Sequence, residues 1–275
     1  MRPTKQSVRV AMSLPIRIYL RRSPIRRGKR FITIRILKPM LPPPPSSFVT
    51  VRPDGSLVSL RYREVLGLTT ITSGRFEDAE CRALCELAGR GSTAIDVGAN
   101  VGMMAIPLAR VVGRDGVVIA VEPLAENVRR LQANAASNAL TNIVVRQVAA
   151  SQHEGRIVLQ VAEDAAYGST RSISSGMSQA GEVSVESLPL DKIWADLGSR
   201  RVSVIKIDVE GAEADVIRGA TQLLQRDHPV LMLEANTDRD LAVLTDLLRP
   251  YGYSERQPQG FMPWNHLFAI DEVAS

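Results

Sequence analysis

Three charged residues at alternate positions stand where one apolar run of the chain ends. Lys206 lies inside the run from Val202 to Ile207, and Asp208 and Glu210 follow that run. Because side chains alternate along an extended backbone, we expect all three on the same side. A carboxylate can accept a proton from a substrate, and a lysine can keep that carboxylate ionised or stabilise a developing alkoxide. We predict that Asp208 is the catalytic base, with Glu210 as the second candidate and Lys206 in support.

A glycine segment and a later acidic residue form a second candidate site. Residues 96–102 read Asp-Val-Gly-Ala-Asn-Val-Gly and lie between another apolar run and a helical pattern. Glycines let a backbone turn sharply and approach a ligand, and a helix start offers free N–H groups. Glu122 directly follows the run from Val117 to Val121, where a carboxylate can accept from both hydroxyls of a ribose. We predict an adenosine-containing cofactor, bound by Asp96, Gly98, Ala99, Asn100, Gly102 and Glu122.

Both motifs also have structural explanations. Glu210 and Glu213 favour the start of a following helix, and Lys206 can simply pair with a neighbouring carboxylate. Glu122 can likewise favour a helix start, and the glycines can form a structural turn. The G-x-x-x-G spacing departs from the G-x-G-x-x-G of nicotinamide and flavin sites, which disfavours a redox dinucleotide site.

The elements that must position these residues alternate between helical stretches and short apolar runs. Runs rich in Val and Ile are typical of strands buried on both faces, and here they cover residues 93–97, 117–121, 143–148, 202–207 and 230–233. The βαβ rule then predicts an α/β fold with a mainly parallel, doubly wound sheet. Reacting groups of such sheets lie beyond the carboxyl ends of the strands, so we expect Glu234 in the same crevice as Asp208.

Two segments depart from this alternation of predicted strands and helices. Pro107 follows the glycine segment and would cost about 3 kcal/mol inside a helix, so we predict a helix that begins late, near Met104, or kinks. Residues 155–188 contain a predicted strand from Ile157 to Val161 and a loop rich in Gly and Ser from Ala165 to Gly181. An insertion of this kind commonly carries specificity.

The amino-terminal part has a composition of its own. Of the 34 Lys and Arg residues in the chain, 13 lie in residues 1–53, which contain no Asp or Glu. The rest of the chain is acidic, so the net positive charge gives no reason to expect a nucleic-acid partner. We predict a basic, proline-rich leader over residues 1–47 and a hairpin region over 48–75, followed by an α/β domain over 76–275. The leader is either a solvated arm or a weak interfacial segment that contacts a membrane surface or another anionic partner.

Composition limits the remaining classes. The chain of 275 residues is 45% hydrophobic and 23% charged, which excludes wholesale disorder, and it has no apolar run of the roughly 18 residues that a spanning helix needs. Cys81 and Cys85 share one face of a predicted helix from Glu77 to Ala88, and no neighbouring Cys/His set completes a metal site. We therefore expect no metal, and the alternative is a Mg²⁺ ion at Asp208 and Glu210, because hard cations favour carboxylates. Two small buried thiols fit a reducing compartment, and we predict a cytoplasmic location.

Together these segments resemble the FkbM-type methyltransferases, which are class I enzymes dependent on S-adenosylmethionine. The resemblance rests on residues 96–102, Glu122-Pro123, residues 206–213 and Leu233-Glu234, and it extends to residues 74–77 and 265–268. It implies a seven-stranded Rossmann-like sheet whose last strand is antiparallel, with S-adenosylmethionine held at residues 96–102 and Glu122. It also implies that Asp208 and Glu210 are the motif carboxylates nearest the transferred methyl group.

The resemblance implies O-methylation of a hydroxyl on a sugar, a glycolipid or a natural product. The expected partner is accordingly a small-molecule or glycan acceptor. The loop around residues 167–171 matches the family only loosely, so the resemblance does not select the acceptor. A non-catalytic protein that binds a nucleotide or an anionic surface, and a nucleotide-dependent oxidoreductase, are the alternative functions.

Overall fold

The computed structural model describes residues 14–22, 31–43, 45–74, 76–161, 170–172 and 181–270. The chain divides into two compact units. The described residues of the smaller unit fall within 1–50 and 59–76, and those of the larger unit fall within 51–58, 77–163 and 169–275. Within the described ranges, no helix is both long and apolar enough to cross a membrane.

The smaller unit is built around one apolar cluster. Its first elements are helix α1 (Leu14–Arg22) and a π-helical stretch (Ile32–Leu37) that continues as a short helix (Lys38–Met40). They are followed by strands β1 (Ser47–Val51) and β2 (Leu57–Arg61), which form the predicted hairpin, and by helix α2 (Val65–Ser73). Residues 51–58 of this hairpin are assigned to the larger unit. The buried members of the cluster come from α1, the second helical stretch and α2, and they are Leu20, Leu37, Leu41, Leu68 and Ile71.

Parts of the predicted leader therefore differ from a solvated arm. In α1, Ile16 and Leu20 are four residues apart, so they share one helix face, and both join the apolar cluster of the unit. Leu37 in the second helical stretch is fully buried. Residues 1–13, 23–30 and 44 of the leader lie outside the described residues.

The larger unit contains a seven-stranded sheet with the order β12-β13-β11-β10-β3-β4-β5. The strands β3, β4, β5, β10 and β11 run parallel, and β13 pairs antiparallel with both β11 and β12. The sheet therefore confirms the predicted mainly parallel architecture with an antiparallel last strand. Its strands are β3 (Thr93–Val97), β4 (Val117–Val121), β5 (Ile143–Arg146), β10 (Val202–Ile207), β11 (Val230–Glu234), β12 (Tyr253–Arg256) and β13 (Asn265–Ile270).

Helices connect these strands and cover both faces of the sheet. The apolar residues of β3 and β4 alternate between two apolar clusters, which explains why both sequences are largely apolar. The helices of the unit are α3 (Asp78–Ala88), α4 (Ala105–Val112), α5 (Ala125–Ser137), α6 (Leu190–Ala195), α7 (Glu213–Arg218), α8 (Thr221–Asp227) and α9 (Asp238–Leu248). As predicted, α4 begins late, directly after Met104, so Pro107 occupies its first turn.

The insertion between β5 and β10 forms a second, four-stranded sheet with the order β6-β9-β7-β8. Its strands are β6 (Ala149–Ser151), β7 (Gly155–Val161), β8 (Thr170–Ser172) and β9 (Gly181–Pro189). The predicted strand over 157–161 is confirmed within β7. Part of the predicted loop over 165–181 is wrong, because residues 170–172 pair with β7. Residues 162–169 and 173–180 of this insertion lie outside the described residues.

Candidate functional site

The predicted site residues meet at the carboxyl edge of the parallel strands. Strands β3 and β10 are neighbours, and their register places Asp96 beside Lys206. Directly after β10, the backbone N–H of Asp208 donates to the carbonyl oxygen of Val97 at 3.1 Å. Two segments that are far apart in the sequence therefore share one edge of the sheet.

Lys206 and Asp208 form a partly buried ion pair. The Lys206 Nζ lies 2.8 Å from Oδ2 of Asp208, and the lysine side chain is only 7% exposed. Burial by itself lowers the pKa of Lys206. The negative charges of Asp208, Glu77 and Asp96 have the opposite and larger effect, so the pKa of Lys206 lies above its ordinary value. Burial likewise opposes ionisation of Asp208, but the Lys206 ammonium keeps the pKa of Asp208 below its usual range. Both groups are therefore charged at neutral pH.

Glu210 and Glu234 complete an acidic group around Asp208. One carboxylate oxygen from each of the three residues lies within 4.8 Å of the other two. Burial, and then the negative charge of Asp208, raise the pKa of Glu234 to about 9, so Glu234 keeps its proton at neutral pH. Carboxylate oxygens at this spacing are also the ligands that a hard cation prefers.

Strand alternation does not explain the position of Glu210. Strand β10 ends at Ile207, and Glu210 has a left-handed backbone with φ of 56°. The turn after the strand, not the pleat, brings this carboxylate back to Asp208. The predicted grouping is therefore found, but its stated geometric reason is wrong beyond Ile207.

Sequence reasoning missed Glu77 as a member of this charged site. Glu77 is 7% exposed and interacts electrostatically with both Lys206 and Asp208. The side-chain amide of Asn265 donates to Oε1 of Glu77 at 3.2 Å and to Oε1 of Glu80 at 3.3 Å. Glu77 and Asn265 lie in the outer segments of the family resemblance, which were the only available signal. The neighbouring Arg75 lies outside the described residues.

Asp96 is the least satisfied charged group of the site. It is 0% exposed, and neither carboxylate oxygen has a hydrogen-bond partner within the described part of the chain. Burial raises the pKa of Asp96 to about 6. The Lys206 ammonium and the backbone N–H of Ala105, which lies outside good hydrogen-bond geometry, only partly offset this effect. Buried polar groups normally have partners, so the orphaned Asp96 carboxylate is a candidate position for contact with a ligand or an ordered water.

The glycine segment forms a tight turn against its neighbours. Gly98, Asn100 and Gly102 all have positive φ, of 80°, 49° and 92°. The backbone N–H groups of Gly98 and Ala99 both donate to the carbonyl oxygen of Val121, at 2.9 and 3.0 Å. The structure thus brings the predicted loop to the end of β4.

A side chain at Gly98 would collide with the protein itself. A Cβ atom there would overlap the backbone oxygen of Asp208. At Gly102 a Cβ atom would meet Ile106 at 3.0 Å and Leu131 at 3.3 Å. Close packing against the backbone therefore already requires glycine at position 98, whether or not a ligand approaches it. At position 102 the positive φ favours glycine, while the neighbouring side chains would have to shift by only a few tenths of an ångström.

Glu122 is tied into the same loop. Its carboxylate accepts from the backbone N–H of Asn100 at 2.9 Å, from that of Leu124 at 3.0 Å, and from the side chain of Asn127 at 3.1 Å. Burial raises the pKa of Glu122 above its ordinary value, and these hydrogen bonds partly oppose the shift. The acid that sequence reasoning assigned to a ribose thus also holds the glycine loop in place.

A histidine and the two cysteines have structural surroundings. His266 lies in β13, and its Nδ1 is 3.0 Å from Oε1 of Glu255 on the adjacent strand β12. Cys81 is buried and Cys85 partly buried in α3, and both thiols are free. The cytoplasmic location stays a prediction.

Comparison with known proteins gives the following similarities. Residues 96–255 match the family described as "Methyltransferase FkbM domain". A stretch covering 58% of the chain is 30% identical, over 199 residues, to the AMB antimetabolite synthetase AmbE of Pseudomonas aeruginosa. The match spans only 9% of that relative's length.

Two solved structures resemble the chain at low identity. The methyltransferase FkbM from Methylobacillus flagellatus has 19% identity and a TM-score of 0.45, over 74% of this chain and 52% of that one. A putative transferase from Pyrococcus horikoshii has 13% identity and a TM-score of 0.47, over 81% of this chain and 70% of that one.

Proposed function

This chain belongs to the FkbM methyltransferase family, and on that premise we propose that it is an S-adenosylmethionine-dependent O-methyltransferase acting on a hydroxyl of a sugar, a glycolipid or a natural product. Membership of the family makes the chain a methyltransferase, which decides against the oxidoreductase and the non-catalytic alternatives. The cofactor, the type of acceptor atom and the roles of individual residues are our proposals. The observation that carries them is the meeting of the orphaned Asp96 carboxylate with the Lys206–Asp208 ion pair at one edge of the sheet.

The residues at the end of β3 and β4 suit S-adenosylmethionine. This cofactor supplies a methyl group on a cationic sulfur and carries a second cationic group, an ammonium. The Asp96 carboxylate is fully buried and lacks a hydrogen-bond partner among the described residues, so a cationic group of the cofactor would satisfy it. Glu122 has about one acceptor site left for a ribose hydroxyl, because a carboxylate offers about four and three are occupied by Asn100, Leu124 and Asn127.

Asp208 is our proposed acceptor for the proton of the substrate hydroxyl. Its low pKa makes it a weak base, but a hydroxyl oxygen that gains a bond to carbon becomes positively charged and loses its proton readily. A weak base that is ionised at neutral pH is therefore strong enough to accept this proton. Lys206 keeps Asp208 ionised, and it also limits how far negative charge can accumulate in the site.

Glu210 and Glu234 are proposed to orient the acceptor. The proton of Glu234 lies towards Asp208, with which Glu234 shares a hydrogen bond, but its Oε2 is buried and has no hydrogen-bond partner among the described residues, so it can accept a hydrogen bond from a hydroxyl of the acceptor. Glu210, whose oxygen lies within 4.8 Å of both other carboxylates, is placed to accept one. Several hydrogen bonds of this kind suit a substrate with more than one hydroxyl, such as a sugar.

Two measurements test this proposal. Calorimetry with S-adenosylmethionine and with its demethylated product should detect binding of both; if neither binds, the proposal fails. A screen with radiolabelled methyl donor over glycans, glycolipids and hydroxylated natural products should then label an acceptor oxygen. Repeating the assay with and without EDTA tests whether the three carboxylates also need a divalent cation.

A further inference from the structure

Helix α1 of the smaller unit carries apolar side chains on two opposite faces. Ile16 and Leu20 pack into the apolar cluster of that unit. Leu14 and Ile18, which are also four residues apart, are 52% and 46% exposed. On a helix of 3.6 residues per turn, positions 14 and 18 lie opposite 16 and 20. One apolar face therefore packs into the apolar cluster, and the other points away from that cluster.

The second helical stretch repeats this arrangement. Leu37 is fully buried in the same cluster, and Ile32 packs against it. Phe31 and Ile36, by contrast, are 64% and 43% exposed, and Arg35 between them in sequence is exposed as well. An exposed phenylalanine and isoleucine beside an arginine are costly on a surface that meets only water.

The charge of this part of the chain has a single sign. Residues 1–53 contain 13 Lys and Arg residues and no acidic residue. The sequence of α1, LPIRIYLRR, holds three arginines within nine residues. Apolar side chains interspersed with cationic ones are the combination that binds at the boundary between lipid head groups and acyl chains.

We propose that the outward residues of these two helical stretches dock on an anionic lipid bilayer. The outward set consists of Leu14, Ile18, Tyr19, Phe31 and Ile36. These side chains would enter the head-group region, while Lys and Arg residues of the same segment would pair with anionic head groups. The proposal concerns a surface of the smaller unit and does not depend on the methyl-transfer chemistry.

Charge and side-chain type favour a bilayer over other partners. A second copy that docked through the same surface would bring two strongly basic segments together, and like charges repel. A nucleic acid would satisfy the basic residues, but the aliphatic Leu14, Ile18 and Ile36 can neither stack on bases nor donate hydrogen bonds to phosphates. A lipid surface satisfies both the charge and the apolar side chains.

Vesicle sedimentation with the full chain tests the proposal. The probes are vesicles of phosphatidylcholine alone and of phosphatidylcholine mixed equally with phosphatidylglycerol, at low and at high salt. We expect binding to the anionic vesicles that weakens at high salt, because salt screens the attraction between charges. No binding to anionic vesicles at low salt, or equal binding to both vesicle types, would overturn the proposal.

A pair of double variants separates the outward set from general hydrophobicity. Ile18→Ser with Phe31→Ser should lower the vesicle partition coefficient by roughly tenfold or more, since each lost side chain removes buried apolar area. The matched control, Leu87→Ser with Val243→Ser, removes side chains of 44% and 39% exposure from the larger unit and should bind vesicles as the wild type does. Equal losses in both double variants would contradict the proposal.

A charge variant and a competing ligand complete the test. Arg35→Glu reverses one exposed cation without removing a core residue, and it should weaken binding to anionic vesicles even if the double variant folds poorly. A single-stranded oligonucleotide that binds more tightly than anionic vesicles would assign the surface to nucleic acid and refute our proposal. Binding of S-adenosylmethionine should be unchanged in all of these variants, so loss of vesicle binding and failure of the proposed function remain distinguishable.

Discussion

Replacing Asp96 with asparagine should stabilise the protein while weakening its hold on the cofactor. Burial raises the pKa of Asp96 from an ordinary value of 3.8 to about 6 in the folded protein. The folded state therefore binds this proton more tightly than the unfolded state does. Above pH 6 the folded protein must carry the ionised form in a buried position, and this costs stability.

The size of that cost follows from the shift. About two pKa units correspond to roughly 3 kcal/mol at pH 7. As the pH falls below about 6, the folded-state carboxylate takes up its proton, and the penalty declines to roughly 0.5 kcal/mol near pH 4. The amide of the Asp96→Asn variant carries no charge at any pH, so we expect up to about 3 kcal/mol more stability at pH 7 and only about 0.5 kcal/mol at pH 4. The value at pH 7 is an upper limit, because the new amide also lacks hydrogen-bond partners.

Urea denaturation at several pH values measures this difference. The matched control is Asp246→Asn, which removes a carboxylate that is 68% exposed and should change stability by less than about 0.5 kcal/mol. Calorimetry should show that Asp96→Asn binds S-adenosylmethionine about 10- to 150-fold more weakly, as expected for a lost charge-assisted hydrogen bond. If this variant is less stable than the wild type at pH 7, or if its gain does not shrink towards pH 4, the interpretation of Asp96 as an unsatisfied buried charge is refuted.

Three further substitutions test other parts of the site. Glu122→Ala should weaken cofactor binding by about 1–3 kcal/mol in calorimetry, because it removes the carboxylate that holds the loop at Asn100. An unaltered titration would contradict a role of Glu122 in cofactor binding. Once an acceptor is known, Asp208→Asn should reduce turnover by roughly 100-fold while cofactor affinity stays within a few-fold, and unchanged turnover would remove Asp208 from catalysis. Gly98→Ala should lower the free energy of unfolding by roughly 2–4 kcal/mol, because its Cβ would overlap the backbone oxygen of Asp208. The control is Gly181→Ala, because a Cβ atom at position 181 would meet nothing within 4 Å. Equal stability of the two variants would show that the backbone around Gly98 can shift without loss of stability.

The parallel strands could be predicted because each one coincides with a run of mostly apolar residues in the sequence. Strands β3, β4 and β10 have the bounds expected from their apolar runs, since both faces of each strand are buried and most positions are apolar. Asp96 in β3 and Lys206 in β10 are buried charged exceptions. The start of α4 was likewise a local matter, because Pro107 is tolerated only in a first turn.

The second sheet could not be predicted in the same way. Strand β9 has an exposed first half that contains Glu182 and Ser184, and β8 has only three residues. Such segments are held by pairing with β7 rather than by their own apolar residues. Their composition is that of a loop, so only the partner strand identifies them as sheet.

For this protein, the sequence alone determined the parallel strands of the seven-stranded sheet, the late helix start and which acidic residues stand at strand ends. Tertiary structure decided which of them meet: it placed Asp96 beside Lys206, and it brought Glu77 and Asn265 from distant segments into the same charged site. It also decided that Gly98 is needed, because the backbone of the segment after β10 passes so close to it. Strands and helix starts depend mainly on residues that are neighbours in the sequence, so local patterns reveal them. The pKa values of charged groups depend instead on the distances between those groups, and these distances are set by the packing of strands that are far apart in the sequence.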